Sequence, residues 1–164
     1  MNLDEELLQL ANEVVENNRA AGRKIATAES CTGGLVAAAL TEVAGASDVL
    51  DRAFVTYSNE SKIEMLGVSE DILATLGAVS EATAWAMAQG ALNRSGADVT
   101  VAVSGIAGPG GGTEKKPVGT VVFARALRDE AKAPMVADTH HFGDLGRAEI
   151  RRQAALVALR LLLP

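Results

Sequence analysis

An apolar run, Lys24-Ile25-Ala26-Thr27-Ala28, enters the stretch Ala28-Glu29-Ser30-Cys31-Thr32-Gly33-Gly34, and an Ala/Leu/Val-rich run leaves it over residues 35–40. Strand, tight turn, helix is the reading this pattern imposes, because two consecutive glycines interrupt the apolar runs and let a ligand approach the backbone. A serine in such a turn sits near the positive end of the helix dipole, among backbone N–H groups without helical partners. Ser30 is therefore the first candidate for chemistry.

The rest of the chain alternates in the same manner. Leu3, Leu7, Leu10, Val14 and Ala21 recur at helical spacing and predict an amphipathic first helix ending near Gly22. The helix after the Ser30 turn ends near Gly45, and residues 49–58, with Phe54, Val55 and Tyr57, read as a second strand. Ser58 or Asn59 caps a short helix closed by Gly67, Ser69 starts another ended by Gly77, and Ser80 starts a longer one through Arg94. Val99, Val101 and Val103 mark a buried strand that runs into residues 105–119. That stretch holds six of the sixteen glycines, more than a turn requires. A strand over 119–127, the charged turn Arg128-Asp129-Glu130 and a last strand over 136–142 follow, with hairpin character. A final helix over 145–163 carries Ile150, Ala154, Val157 and Leu161 on one stripe. Alternation favours an α/β sheet covered on both faces, and the late hairpin makes the sheet mixed. Sites in such sheets gather at the carboxyl ends of parallel strands, where Ser30, Tyr57 and the loop from Ser104 all fall.

At 164 residues the chain, 1–164, is expected to form one domain. With only 3% aromatic residues, its core must be built from Ala, Val, Leu and Ile. A formal charge of −6 argues against general nucleic-acid binding, which needs a basic surface. The lone cysteine, Cys31, fits a reducing compartment. No basic n-region opens the chain and no apolar run is long enough to span a bilayer. A cytoplasmic protein with no membrane partner is expected, and the apolar last helix makes a homo-oligomer possible.

Ser30 has two readings, a helix cap or a nucleophile, and the turn does not match the Gly-x-Ser-x-Gly elbow. Cys31 is the rival, either a thiol activated at a helix terminus or small core filler. A base for Ser30 is hard to find. His140 and His141 are adjacent on one strand and point to opposite faces. Of the lysines, Lys24, Lys62, Lys115, Lys116 and Lys132, only Lys62 follows a strand end beside a polar cluster, Thr56-Tyr57-Ser58-Asn59. Its place in the first turn of a helix opposes the dipole, so surface design does not account for it. A Ser-Lys pair requires the amine to lose its proton near neutral pH, a fall from about 10.4 to roughly 7–8 that burial can supply. Otherwise Lys62 is a solvated lysine. Tyr57 either relays a proton or orients the amine, or it is a strand-end aromatic.

The loop from Ser104 to Thr113 is neither a Walker A loop nor a dinucleotide fingerprint. It is a flexible connection or an anion nest, with Ser104, Gly105 and Gly108 at its start. Arg147 and Arg151, one helical turn apart, are phosphate partners or a solvated face. No spacing suggests a metal site, and no cofactor is expected.

Four motifs occur in order: Ala28-Glu29-Ser30-Cys31-Thr32-Gly33-Gly34; Val55-Thr56-Tyr57-Ser58-Asn59 with Lys62; Gly77-Ala78-Val79-Ser80; and Gly105-Ile106-Ala107-Gly108-Pro109 followed by Pro117-Val118-Gly119-Thr120. Together they resemble the CinA C-terminal domain family, the nicotinamide-nucleotide amidohydrolases (NMN deamidases), from about residue 5 to the end. The resemblance implies a small-molecule nucleotide substrate, nicotinamide mononucleotide, hydrolysed to nicotinate mononucleotide and ammonia in pyridine nucleotide recycling. It implies a metal-free mechanism with Ser30 as nucleophile, Lys62 as general base and Tyr57 assisting. Thr32, Gly33 and Gly34 would then steady the oxyanion, while Ser104, Gly105, Gly108 and Arg147 or Arg151 hold substrate. A three-layer α/β/α fold with a mixed, mostly parallel five-stranded sheet is implied as well. Position 104, commonly Thr in the family, is Ser here. The Gly-Asp-Arg motif before the last helix reads Gly143-Asp144-Leu145-Gly146-Arg147, which displaces the arginine by two residues. Larger family proteins carry an additional N-terminal domain, so this chain is expected to be the stand-alone form. A non-catalytic nucleotide-binding regulatory module with the same pocket is the alternative.

Overall fold

The computed structural model describes residues 3–129 and 136–164, so Glu130 of the charged turn and Lys132 lie outside the described residues. The first helix, α1 (Glu5–Ala20), starts where the Asp4 carboxylate accepts the N–H of Leu7 at 3.1 Å. The buried strand β1 (Ile25–Glu29) follows, then α2 (Leu35–Thr41). This helix stops short of Gly45. The chain passes instead into a single 3-10 turn, Ala46–Asp48, entered through Gly45 in the left-handed region at φ +77°.

Strand β2 (Leu50–Val55) is three residues shorter at its end than the sequence predicts. The Thr56 N–H still reaches the Glu29 carbonyl at 2.8 Å, but the chain then turns so that Ser58 can cap α3 (Asn59–Leu66). Helices α4 (Glu70–Leu76) and α5 (Glu81–Asn93) are capped by Ser69 and Ser80 in the same way. Each serine accepts a backbone N–H of the first turn that has no helical partner. Strands β3 (Val99–Gly105), β4 (Thr120–Leu127) and β5 (Val136–His141) and the helix α6 (Arg147–Leu161) complete the chain.

The five strands lie in the order β2-β1-β3-β4-β5. Strand β1 pairs in parallel with β2 and β3, whereas β4 pairs antiparallel with β3 and with β5. Mostly parallel thus describes strand direction, with β4 alone reversed, but not the pairings, half of which are antiparallel. The cause is the glycine-rich loop, which joins β3 to β4 without the crossover helix that parallel neighbours need.

Alternation along β4 divides its side chains between two cores. Val121 and Phe123 join the layer of α1, α2 and α6, while Val122, Ala124 and Ala126 join the layer of α3, α4 and α5. The result is three layers. Of the stripe read from the sequence on α6, Ile150 and Ala154 are buried in the first core, while Val157 and Leu161 are only partly buried against it. On the other face, a Cβ at Gly90 would lie 2.0 Å from the Leu66 carbonyl oxygen. Glycine there lets the end of α3 rest directly on α5. No helix among the described residues is long and apolar enough to cross a membrane.

Candidate active site

Strand β1 ends at Glu29 and hands the chain to Ser30, whose N–H still bonds the Val103 carbonyl of β3 at 2.9 Å. The turn that follows needs its glycines, because Gly33 and Gly34 have φ of +59° and +94°. Gly34 is the N-cap of α2 and has no side chain to cap with. Glu29 does the capping instead. Its fully buried carboxylate accepts the Val36 N–H and the Thr32 hydroxyl on Oε1, at 3.0 and 2.7 Å, and the Ala37 N–H on Oε2 at 3.0 Å. An acid at this end of a helix is favoured by the dipole as well as by hydrogen bonding. Ser30 is thereby relieved of the capping role that its sequence position allowed.

The Ser30 hydroxyl meets Lys62 instead, with Nζ 3.0 Å from Oγ. The amine also donates to the main-chain carbonyls of Thr56 at 2.8 Å and Tyr57 at 3.4 Å. Lys62 is only 1% exposed, and among the described residues no carboxylate pairs with it. Burial pulls its pKa below the usual lysine value. In the neutral amine the two carbonyls take the two N–H groups, which leaves the nitrogen lone pair facing the serine hydroxyl.

A cavity of about 240 Å³ opens at this pair. Ser30 and Cys31 form one side, Tyr57 and Lys62 another, Ala78 and Val79 a third, and Ser104, Gly105, Ala107 and Arg147 close the rest. Ser104 donates to the Ala78 carbonyl at 2.7 Å, tying the end of β3 to the segment before α5. Arg147 reaches across the mouth, donating to the Gly108 carbonyl at 2.8 Å and to the Tyr57 hydroxyl at 2.9 Å. Tyr57 is 61% exposed and lies outside β2, so it is a rim residue and not a strand-end aromatic within the sheet.

Ser30, Lys62, Tyr57, Ser104, Gly105 and Arg147 are thus gathered around one cavity. Thr32, Gly33, Gly34, Gly108 and Arg151 are not in its wall. Gly33 donates its N–H to the Ser30 carbonyl at 3.0 Å. Arg151 braces the turn from behind, donating to the carbonyls of Cys31 at 3.1 Å and Thr32 at 2.9 Å. One turn along α6 therefore separates an arginine at the cavity from one that supports it. Neither histidine lines the cavity; His140 packs edge-on against Phe123. The Cys31 thiol is buried and pushed up to about 12, chiefly by desolvation, which leaves it protonated and unreactive at neutral pH. No cluster that could hold a metal ion occurs among the described residues.

Sequence reading quoted Glu29, Ala78 and Val79 within its motifs but gave none of them a role at the site. The signal for Glu29 was an acid set just before a turn whose helix starts with no capping side chain.

Residues 7–164 match the family profile of the CinA C-terminal domain. The chain is 50% identical over 160 residues to the Escherichia coli K12 protein named nicotinamide-nucleotide amidohydrolase PncC, covering 97% of this chain and 94% of that one. It is 51% identical over 142 residues to a CinA-like protein of Mycolicibacterium gilvum, covering 87% of this chain but only 33% of that longer protein. The crystal structure of the competence/damage inducible protein CihA from Agrobacterium tumefaciens superposes with a TM-score of 0.94 at 48% identity. That superposition covers 99% of this chain and 97% of that one.

Proposed function

Since the chain belongs to the CinA C-terminal domain family, we propose that it is a nicotinamide-nucleotide amidohydrolase, converting nicotinamide mononucleotide and water to nicotinate mononucleotide and ammonia. The observation that carries this reading is the 3.0 Å contact of Lys62 Nζ with Ser30 Oγ inside a buried wall. The name of the Escherichia coli relative supplies the substrate.

In the proposed reaction, neutral Lys62 takes the Ser30 proton as Oγ attacks the carboxamide carbon. The tetrahedral intermediate collapses as the Lys62 ammonium protonates the leaving nitrogen, and ammonia departs. Lys62 next deprotonates a water that attacks the acyl ester, and the carboxylate leaves as Ser30 regains its proton. Main-chain N–H groups of the turn that begins at Ser30 are the proposed oxyanion donors; that of Gly33 is taken by the Ser30 carbonyl. The cavity, about 240 Å³, is smaller than the usual ligand pocket of roughly 300–1,000 Å³. It suits the nicotinamide end, with the ribose phosphate directed to the rim and to Arg147. Gly105 and the loop up to Gly108 complete that rim, and Arg151 supports the turn. The reaction is placed in the cytoplasm, in pyridine nucleotide recycling.

Ammonia release from nicotinamide mononucleotide tests the proposal. The wild type should turn over, while folded Ser30→Ala and Lys62→Ala variants should fall by on the order of 10³-fold or more. Full activity in folded Ser30→Ala overturns the mechanism. Calorimetric binding without turnover by the wild type identifies a non-catalytic nucleotide-binding module instead.

A further inference from the structure

The sheet has a second cavity at its other end, where β1 and β3 begin and β4 finishes. Its volume is about 590 Å³, within the range of small-molecule sites. Three arginines line it, Arg23, Arg125 and Arg128, together with two acids, Asp98 and Asp129. Two of the arginines have structural work on the main chain. Arg23 donates to the Leu162 carbonyl at 2.9 Å and to the Asn18 side chain at 2.9 Å. Arg128 donates to the carbonyls of Ala97, Leu92 and Ser95 at 2.9, 2.7 and 3.0 Å. Asp98 is engaged as well, accepting the Lys24 N–H at 2.8 Å.

Arg125 is different. It projects from β4 on the same face as Val121 and Phe123, between Val101 of β3 and Val136 of β5. Its Nε is buried and has no hydrogen-bond partner. Burial and then the charge of Arg125 lower the pKa of Arg23, against the opposing pull of Asp98, so the two guanidinium groups repel each other across the cavity. A buried donor without an acceptor costs about 1–3 kcal/mol, and more when it is charged. A dianion in the cavity would neutralise the repulsion between Arg125 and Arg23. The planar fork of a guanidinium fits phosphate oxygens two at a time.

We propose that the cavity lined by Arg23, Arg125 and Arg128 is a second binding site, for a phosphate monoester of nucleotide or sugar-phosphate size. It lies at the opposite end of the sheet from Ser30 and does not depend on the reaction there.

Isothermal titration at low ionic strength, with inorganic phosphate, ribose 5-phosphate and adenosine 5′-monophosphate as probes, tests it. The wild type should bind at least one of the two esters more tightly than inorganic phosphate. Arg125→Ala should weaken that binding about tenfold or more, and Arg125→Lys, which keeps the charge but loses the fork, by less. Arg147→Ala should leave it unchanged. A second measurement avoids variants altogether: modification of the wild type with an arginine-specific dicarbonyl, read by peptide mass, should slow several-fold at Arg125 when the ester is present. No ester binding in the wild type, binding that survives Arg125→Ala, loss of binding in Arg147→Ala, or no protection of Arg125 overturns the proposal. Preference for the ribose ester or the adenosine ester decides which source of phosphate the site takes.

Discussion

On one side of the Ser30 cavity, the turn after β1 is fixed from within by the Glu29 carboxylate and from behind by Arg151. On the other side, Tyr57 and Arg147 meet across the mouth, with Tyr57 61% exposed and its side chain tied through the hydroxyl. In the first wall the side chains of Glu29 and Ser30 are buried and hydrogen-bonded, so their cost was met on folding. The second is a contact in water that a ligand can replace. Chemistry needs a fixed nucleophile, whereas entry and grip need donors that can change partners. In the proposed mechanism attack falls to the wall and capture to the rim.

The largest expected effect comes from the wall. Lys62→Met should lower kcat on the order of 10³-fold or more, yet raise the melting temperature, because a desolvated amine is replaced by a thioether chain of similar length. For a chain of this size each kcal/mol gained is worth about 2–4 °C. In the wild type, kcat should fall as the pH drops through the pKa of Lys62, with a midpoint below the ordinary lysine value of about 10.4. The sign for stability follows. With the folded pKa lowered, the unfolded chain binds more protons, so stability rises with pH between the folded value and about 10.4. A kcat profile with its midpoint at or above that value would remove Lys62 as the base.

Glu29→Gln should come next. It replaces an acceptor-only group with one that turns an NH₂ toward the N–H donors of α2, at a cost of about 2–3 kcal/mol seen in thermal melts. Since Ser30 shares that turn, kcat should fall with stability. Loss of stability with kcat intact would show that the turn need not be rigid. Arg147→Ala, on the rim, should raise KM about tenfold and leave kcat and the melting temperature nearly unchanged. If kcat falls instead, the rim belongs to the wall and the comparison breaks. Tyr57→Phe should do least, about a twofold rise in KM, as it removes one exposed hydrogen bond.

Much of this was legible in the sequence, for local reasons. Ser58, Ser69 and Ser80 announce helix starts because a short hydroxyl side chain satisfies N–H groups two or three residues on. Lys62 stood out because a cation in a first helical turn opposes the dipole. The strand order was not legible, since it depends on which connections lie over which face. Nor was the division of labour between Arg147 and Arg151. They share a helical face, and only the packing of α6 against the Ser30 turn places one at the cavity and the other behind it. Glu29 carries little sign in the sequence of the role it takes. Its burial is set by the helix terminus that folds back onto it. Arg125 shares a face of β4 with Val121 and Phe123 and gives no local sign of lacking a partner.

Cys31 has a practical use that follows from its burial. It is the chain's only thiol, 6% exposed and held protonated at neutral pH. Thiol reagents should therefore pass over the native protein and label it only when the Ser30 turn opens. The rate of that labelling is an intrinsic clock for opening of the Ser30 turn, readable without substituting a residue. The same reticence lets a cysteine introduced at an exposed position carry a fluorophore while Cys31 stays in place.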